Sequence, residues 1–353
     1  MKNSAPMRTT GTSALLGAAL LTASLLGAGS ASAAASGSMP LVFEPAGQQK
    51  MPGKEICKDN PALAAGNDTA AMKALLSAPE YASVRPLFGA AQPQVMWWIR
   101  SAKSMDLQAL LTAFHEANHM LDFALSACHG NRAVFHFRGE IHVTDYQRGQ
   151  APPFELAAKE IPASIKRQPN GRYAVYFGNR NIYRGDFFPL IDELNAHVAG
   201  AEFEVAIADT PVYREMLGRA NSINGNIGGM ADFMLYTVAY LKALRASDPG
   251  AWRRLVGRKK MMEHVQRLWT AAEAVLAKAA PLAPEHGGLY QFPAAALDAA
   301  YAPALLAELD AAGIRHGGRA PAPKAVIPAV IPAMIPAAGS TGSPAVTAPS
   351  AER

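Results

Sequence analysis

The strongest pattern of apolar and polar positions lies between Ser104 and Ala127, where apolar residues recur three or four positions apart. This spacing places side chains along one face of an α-helix. Ser104 is a suitable N-cap, Asp106 adds negative charge to the first turn, and Gly130 suits the end of a helix. The pattern therefore predicts one long helix with an apolar face. Its apolar positions are Leu107, Leu110, Leu111, Phe114, Leu121 and Leu125.

Two short runs after this helix have the composition of β-strands. Residues 133–138 and 140–145 are rich in β-branched and aromatic residues, and Gly139 separates them. The run Tyr173–Phe177 has the same character, so we also predict a strand there, followed by a turn over residues 178–181.

The second half of the chain is predicted to be mainly helical and is rich in alanine. Pro189 indicates the first turn of a helix over residues 188–207, because proline is tolerated where the N–H has no helical partner. Further helices are predicted over residues 223–246 and 251–280, the latter with a break near Gly257. The sequence thus predicts an α+β fold with a small sheet and a mainly helical C-terminal half.

The first 33 residues have the three parts of a secretory signal peptide. Lys2 and Arg8 form the positively charged part, residues 14–27 are small and apolar, and residues 31–33 offer the cleavage pattern. The apolar run is too short and too rich in alanine for a membrane anchor, so we expect no stable membrane insertion. The mature protein is therefore predicted to be secreted or periplasmic.

The other end of the chain differs in composition from the rest. Residues 317–353 are rich in proline and alanine, and proline every few positions excludes helix and sheet interiors, so we predict a disordered tail. Between the two ends we expect an N-terminal segment over residues 34–103 and a domain over residues 104–316.

The charge of the chain is moderately positive, with 33 basic and 28 acidic residues and a net charge of +5. A basic run shares a predicted helix with Trp252 and Leu255, which indicates a solvated helix face, so no nucleic-acid partner is predicted. A weak affinity for anionic envelope polymers is the alternative that this charge leaves open. The run consists of Arg253, Arg254, Arg258, Lys259 and Lys260.

The chain has two cysteines, Cys57 and Cys128. Export into an oxidising compartment favours a disulfide between them, and two unpaired thiols are the alternative. The disulfide would join the N-terminal segment to the end of the long helix.

The candidate chemistry lies in the middle of that helix, in the string His115-Glu116-Ala117-Asn118-His119. Two histidines four residues apart project from the same side of a helix, so both imidazoles can bind one Zn²⁺. Glu116 would lie beside the zinc and take a proton from the attacking water. Two surface histidines on an amphipathic helix would be the structural alternative.

A catalytic zinc has three protein ligands and one open position, so a third ligand is expected downstream. Position 125 is leucine, which excludes the extended three-histidine motif. Glu193 on the predicted helix 188–207 is the best candidate. His197, one turn later, is an alternative ligand, a partner of a ligand, or a group that binds a substrate carbonyl. The weaker alternatives are Glu202, Glu204 and Asp232.

These residues resemble the zincin metallopeptidases of the gluzincin type, in which a glutamate on a later helix completes an HExxH site. The resemblance covers residues 104–207. It implies a zincin-like domain in which His115, His119 and Glu193 bind zinc and Glu116 is catalytic. The thermolysin-like second motif, Asn-Glu followed by Ser-Asp, is absent.

The resemblance also implies a peptide or protein substrate and a tyrosine or histidine that stabilises the oxyanion. Tyr183 is the first candidate for that role and His197 the second, while Asp122 would accept the N–H of a ligand imidazole or face solvent. The alternative function is a secreted zinc-binding or envelope-binding protein with the same fold and no catalysis. A helical scaffold with a chance motif is a further alternative, and nothing in the sequence specifies an oligomeric state.

Overall fold

The computed structural model describes residues 67–101, 107–168, 171–178, 185–208, 210, 213, 225–282 and 293–317. The predicted signal peptide and most of the predicted tail lie outside these residues, as do Ser104, Asp106 and the predicted turn beyond Gly178.

The described elements are mostly helices, with one pair of strands. In chain order they are α1 (Asn67–Leu76), α2 (Arg85–Ser101), α3 (Leu107–Cys128), β1 (Arg132–Phe137), β2 (Glu140–Gln147), α4 (Ala163–Lys166), α5 (Phe187–Ile207), α6 (Asn226–Ser247), α7 (Pro249–Val256), α8 (Lys259–Ala279), α9 (Ala294–Ala300) and α10 (Pro303–Ala311). Short 3-10 helices cover Pro79–Tyr81 and Phe154–Lys159.

The predicted long helix is confirmed as α3. Its apolar face is buried, with Leu110, Phe114 and Leu121 each at most 3% exposed, because α2 packs along it. The Trp98 indole N–H of α2 points to the sulfur of Met120, 3.3 Å away. Cys128 at the end of α3 is disulfide-bonded, as predicted, while its predicted partner Cys57 lies outside the described residues.

The two predicted strands are confirmed and form an antiparallel hairpin in which Val134 pairs with Val143. Arg138 and Gly139 connect them with φ angles of 51° and 87°, the left-handed pair that a tight hairpin turn requires. Strand β1 is buried against α3, where the Val134 N–H donates to the Ser126 hydroxyl at 3.1 Å.

Helix α5 lies at the centre of the molecule and confirms the helix predicted over residues 188–207. The Asp186 side chain caps its start by accepting the Phe188 N–H at 3.1 Å. Neighbouring elements cover it on several sides, so even polar residues of α5 are buried. Its neighbours are α3, α6, α8, β1 and the 3-10 helix Pro79–Tyr81.

The two later predicted helices are also confirmed. Helix α6 is buried over most of its length, which explains why it has no amphipathic pattern. The predicted break near Gly257 separates α7 from α8, and the basic residues Arg253 and Arg254 on α7 are exposed.

The predicted strand over Tyr173–Phe177 is wrong. Residues Ala174–Gly178 form a turn of π-helix, which directs Tyr176 toward Phe233 of α6 and Phe177 toward Tyr236. A run of five apolar residues is too short for its periodicity to separate strand from helix, and here aromatic packing on α6 decides.

The described fold is therefore mostly helical with a two-stranded antiparallel sheet, in agreement with a general α+β class. Among the helices of the described residues, none combines the length and the apolar character needed to cross a membrane.

We expect Phe188→Ala to lower the free energy of unfolding by about 3–5 kcal/mol, measured by chemical denaturation. Phe188 is fully buried, its ring lies 5.1 Å from that of Phe123 and 5.3 Å from that of Phe135, and the Arg148 guanidinium stacks on it at 4.6 Å. The control Ile141→Ala, at a side chain 55% exposed, should change the free energy by less than about 0.5 kcal/mol. Equal losses in the two variants would contradict this assignment of the core.

Candidate metal centre

Helix α3 directs two imidazoles toward α5. His115 and His119 lie one turn apart, and their Nε2 atoms are 3.1 Å from each other. The two side chains are 12% and 14% exposed, so little solvent reaches them. The α-helical spacing of the sequence motif is thus sufficient to bring the two nitrogens together.

Helix α5 adds a carboxylate to this pair. Glu193 Oε2 lies 3.3 Å from His119 Nε2 and 3.8 Å from His115 Nε2. The three ligand atoms all lie within 4.8 Å of one another. Within the described residues, this is the group of histidine and acidic side chains that could hold a metal ion. Glu193 Oε2 is buried and has no hydrogen-bond partner there. Two imidazole nitrogens and one carboxylate oxygen form a donor set that zinc prefers.

Asp192 fixes the orientation of His119. Its Oδ2 lies 2.7 Å from His119 Nδ1, so the N–H of Nδ1 is donated to the carboxylate and Nε2 faces Glu193. A carboxylate behind a histidine in this way sets the tautomer and strengthens the imidazole as a ligand.

The structure assigns this contact to Asp192 and not to Asp122, which the sequence suggested, and Asp122 does not face solvent either. Asp122 is fully buried and accepts the His136 N–H at 2.6 Å and the Asn195 side-chain N–H at 2.7 Å. Burial and the nearby Asp192 carboxylate raise the pKa of Asp122 well above its usual value.

The charges of the three donors follow from burial and from one another. Burial, followed by the proximity of His119, lowers the pKa of His115 to about 3, so this imidazole is neutral. Burial would also lower the pKa of His119, but Asp192 and Glu193 outweigh it and raise that pKa well above its usual value. Burial opposes ionisation of Glu193, yet His119 and His115 lower its pKa. The two carboxylates therefore favour positive charge at the position of His119, the kind of charge that a divalent cation would supply.

Glu116 is half-buried beside this group. Burial, the largest effect, raises the pKa of Glu116 to about 7. His119 lowers this pKa, and the Glu193 and Asp192 carboxylates raise it. A carboxyl group with a pKa in this range is suited to accept and return a proton at neutral pH.

His197 also lies at the centre. Its Nε2 is 3.9 Å from Glu193 Oε2, and its ring centroid is 4.4 Å from that of His115. Burial, followed by His115, lowers the pKa of His197 well below its usual value, so its imidazole is neutral. The group of three donors does not include His197.

A tyrosine is present at the centre, at a position that the sequence did not indicate. Tyr176 contributes to lowering the pKa of Glu193, and its ring packs edge-on against Phe233 with centroids 4.8 Å apart. Tyr183, the sequence-based candidate, lies outside the described residues.

The weaker candidates for the third ligand have other partners. Glu202 pairs with Arg138, Glu204 accepts the Ile227 N–H at 2.9 Å, and Asp232 lies 3.4 Å from Arg172. None of the three carboxylates belongs to the donor group in the described part of the chain.

Sequence reasoning missed the residues that support the donors, namely Asp192, Asn195, Asn226 and Tyr176. A signal was present for the first two. Polar residues at positions 192, 193, 195 and 197 interrupt a helix that is otherwise strongly apolar, and buried polar groups need partners. Tyr176 lay in the run that was wrongly predicted as a strand.

Comparisons with known proteins do not add a relative, because no protein-family model, curated protein or solved structure matches the chain. The functional argument therefore rests on the residues of this chain.

We expect Asp192→Asn to weaken zinc binding by about 10–100-fold, because the amide keeps the size of the carboxylate but loses its charge behind His119. Competition with a chromophoric chelator measures the affinity, and circular dichroism checks the fold. The control Asp310→Asn removes a carboxylate that is 71% exposed on α10 and should leave the affinity unchanged. An unchanged affinity in Asp192→Asn itself would show that this contact does not support a metal ligand.

Proposed function

We propose that this protein is an exported zinc-dependent metallopeptidase that hydrolyses peptide bonds. The observation that carries the proposal is the convergence of His115, His119 and Glu193 from two helices, with Glu116 following the first histidine. Three protein donors leave a position for a reacting group, which is the pattern of catalytic zinc sites.

The residues fit a zinc ion on two grounds. The donors are of the types that zinc prefers, and Glu193 Oε2 is a buried acceptor without a hydrogen-bond partner in the described residues. When bound, zinc would supply Lewis acidity that polarises the substrate carbonyl and lowers the pKa of water.

Glu116 is the proposed general base. Its half-buried carboxylate lies close enough to His119 and Glu193 for their charges to act on it. It would take a proton from the attacking water on a carboxylate oxygen and then give that proton to the leaving amine. Asp192 would meanwhile keep His119 in the orientation that directs Nε2 to the centre.

A hydrogen-bond donor for the oxyanion is expected from one of three side chains. Tyr183 and His197 are the residues indicated by the sequence, the latter only with its proton on Nε2, and Tyr176, which acts on the pKa of Glu193, is the third. Such a donor stabilises the negative charge that develops on the substrate oxygen.

We further propose that the protein acts outside the cytoplasm, as a secreted or periplasmic enzyme on a peptide or protein substrate. The signal-peptide pattern of the first 33 residues supports export, and the disulfide at Cys128 is consistent with an oxidising compartment.

A second candidate function is zinc binding without turnover. His197 favours it, because a histidine nitrogen 3.9 Å from Glu193 Oε2 is near the position that a catalytic site leaves open. Protein that contains stoichiometric zinc but cleaves no member of a peptide library would support this candidate over the peptidase.

We expect Glu116→Gln to retain zinc and to lose at least about 100-fold in the rate of peptide hydrolysis, because the amide cannot accept the proton of water. Zinc content is measured by elemental analysis and cleavage by mass spectrometry of a peptide library. Glu140→Gln, at a side chain 71% exposed, is the matched control and should retain both zinc and activity. Full activity in Glu116→Gln would exclude the mechanism. Loss of zinc in that variant would show that Glu116 contributes to metal binding and would contradict its role as a general base alone.

A further inference from the structure

One buried nitrogen at the metal centre is not used by the three-donor site. His197 is 5% exposed, and its Nε2 has no hydrogen-bond partner among the described residues. The side chain belongs to α5, one turn after Glu193, so both residues project from the same side of the helix. A buried nitrogen that lacks a partner is costly unless another group satisfies it.

Contacts on the remaining sides of the ring hold this nitrogen in place. His197 Nδ1 lies 3.3 Å from Asn226 Oδ1, which suits an N–H donated to the amide oxygen and leaves the lone pair on Nε2. Phe233 stacks on the ring with centroids 5.3 Å apart. His119 has the same arrangement, with Nδ1 anchored by Asp192 and Nε2 directed at Glu193. An anchored Nδ1 is typical of histidines that bind metals through Nε2.

Helix α6 is built to allow this placement. A Cβ atom at position 229 would collide with the His197 ring, and one at position 200 would collide with the Asn226 side chain. Glycine at both positions lets α6 approach α5 closely enough for Asn226 to reach the imidazole.

The distances among the first three donors agree with ligands of a tetrahedral zinc. Two ligands at ~2.0–2.1 Å from a tetrahedral zinc are separated by about 3.3–3.4 Å. The Nε2 atoms of His115 and His119 are 3.1 Å apart, and Glu193 Oε2 lies 3.3 Å and 3.8 Å from them. His197 Nε2 is 3.9 Å from the same oxygen but lies outside the group of atoms within 4.8 Å of one another, so its ring must move toward the centre to become the fourth ligand.

We propose that His197 binds the metal through Nε2 as a fourth protein ligand, so that three imidazoles and one carboxylate hold zinc in the resting protein. This rests on the metal site of the proposed function and deepens it. The resting site is then closed, and a substrate carbonyl gains access to zinc only when His197 leaves or the coordination number increases to five. His197 would therefore control access to the metal, instead of stabilising the oxyanion from a distance.

The first test compares His197→Ala with the wild type and with His142→Ala, which removes a half-buried histidine from β2. We expect His197→Ala to lower zinc affinity by at least about tenfold. Removal of a residue that only hydrogen-bonds to a metal ligand already lowers metal affinity by about 10–100-fold. The visible absorption of the cobalt(II)-substituted protein should change in this variant, and added imidazole should restore it. His142→Ala should retain the wild-type affinity and spectrum.

The second test does not depend on a variant. X-ray absorption at the zinc edge of the wild-type protein should show scattering from three imidazoles, whereas two imidazoles would overturn the proposal. Wild-type affinity together with an unchanged cobalt spectrum in His197→Ala would also overturn it, and both results would leave the three-donor site intact. Failure of the wild type to bind zinc or cobalt would instead refute the proposed function, and this inference with it.

Discussion

The geometry of the centre depends on a seam of buried polar side chains between α3 and α5. The Asn195 side-chain nitrogen lies 2.7 Å from Asp122 Oδ2, 3.3 Å from Asn118 Oδ1 and 3.1 Å from the carbonyl oxygen of His136. Because an unpaired polar group costs about 1–3 kcal/mol in the interior, a shift between the helices that separates these groups is unfavourable. The seam therefore fixes how the two helices and β1 meet, and in that arrangement Asp192 and Glu193 face His119.

The centre obtains its low solvent exposure and its charge pattern from the same packing. Buried carboxyl groups are stable only when they are paired or keep their proton, and this region uses both solutions. Asp122 has a raised pKa and accepts two N–H groups, while Asp192 and Glu193 lie beside His119 and raise its pKa. A divalent cation among these groups would supply positive charge at a point where the two carboxylates already favour it.

The sequence predicted those features that depend on local pattern. The helical spacing around Phe114 and the pair of strands around Gly139 follow from neighbouring residues alone, and both are present. The identity of the residue behind His119 was not predictable in this way. Asp122 lies one turn from His119 in the sequence, but the choice between Asp122 and Asp192 depends on how α5 docks.

The same reason explains the error at Tyr173–Phe177. The local sequence has the apolar and aromatic composition of a strand, but no strand of the described residues pairs with it, and the ring of Phe233 provides a packing surface for Tyr176 instead. The influence of Tyr176 on the pKa of Glu193 follows from that packing. Sequence reasoning thus indicated the first two donors and Glu193 as the candidate for the third, while tertiary contacts supplied the groups that orient them.

Anomalous diffraction from crystals grown with zinc, recorded on both sides of the zinc absorption edge, tests the central claim most directly. The account predicts one strong peak between the Nε2 atoms of His115 and His119 and Oε2 of Glu193. A peak at another group of histidines, such as His142 and His264 with ring centroids 5.3 Å apart, would contradict it. The absence of any ordered zinc peak in crystals grown with excess zinc would also contradict it.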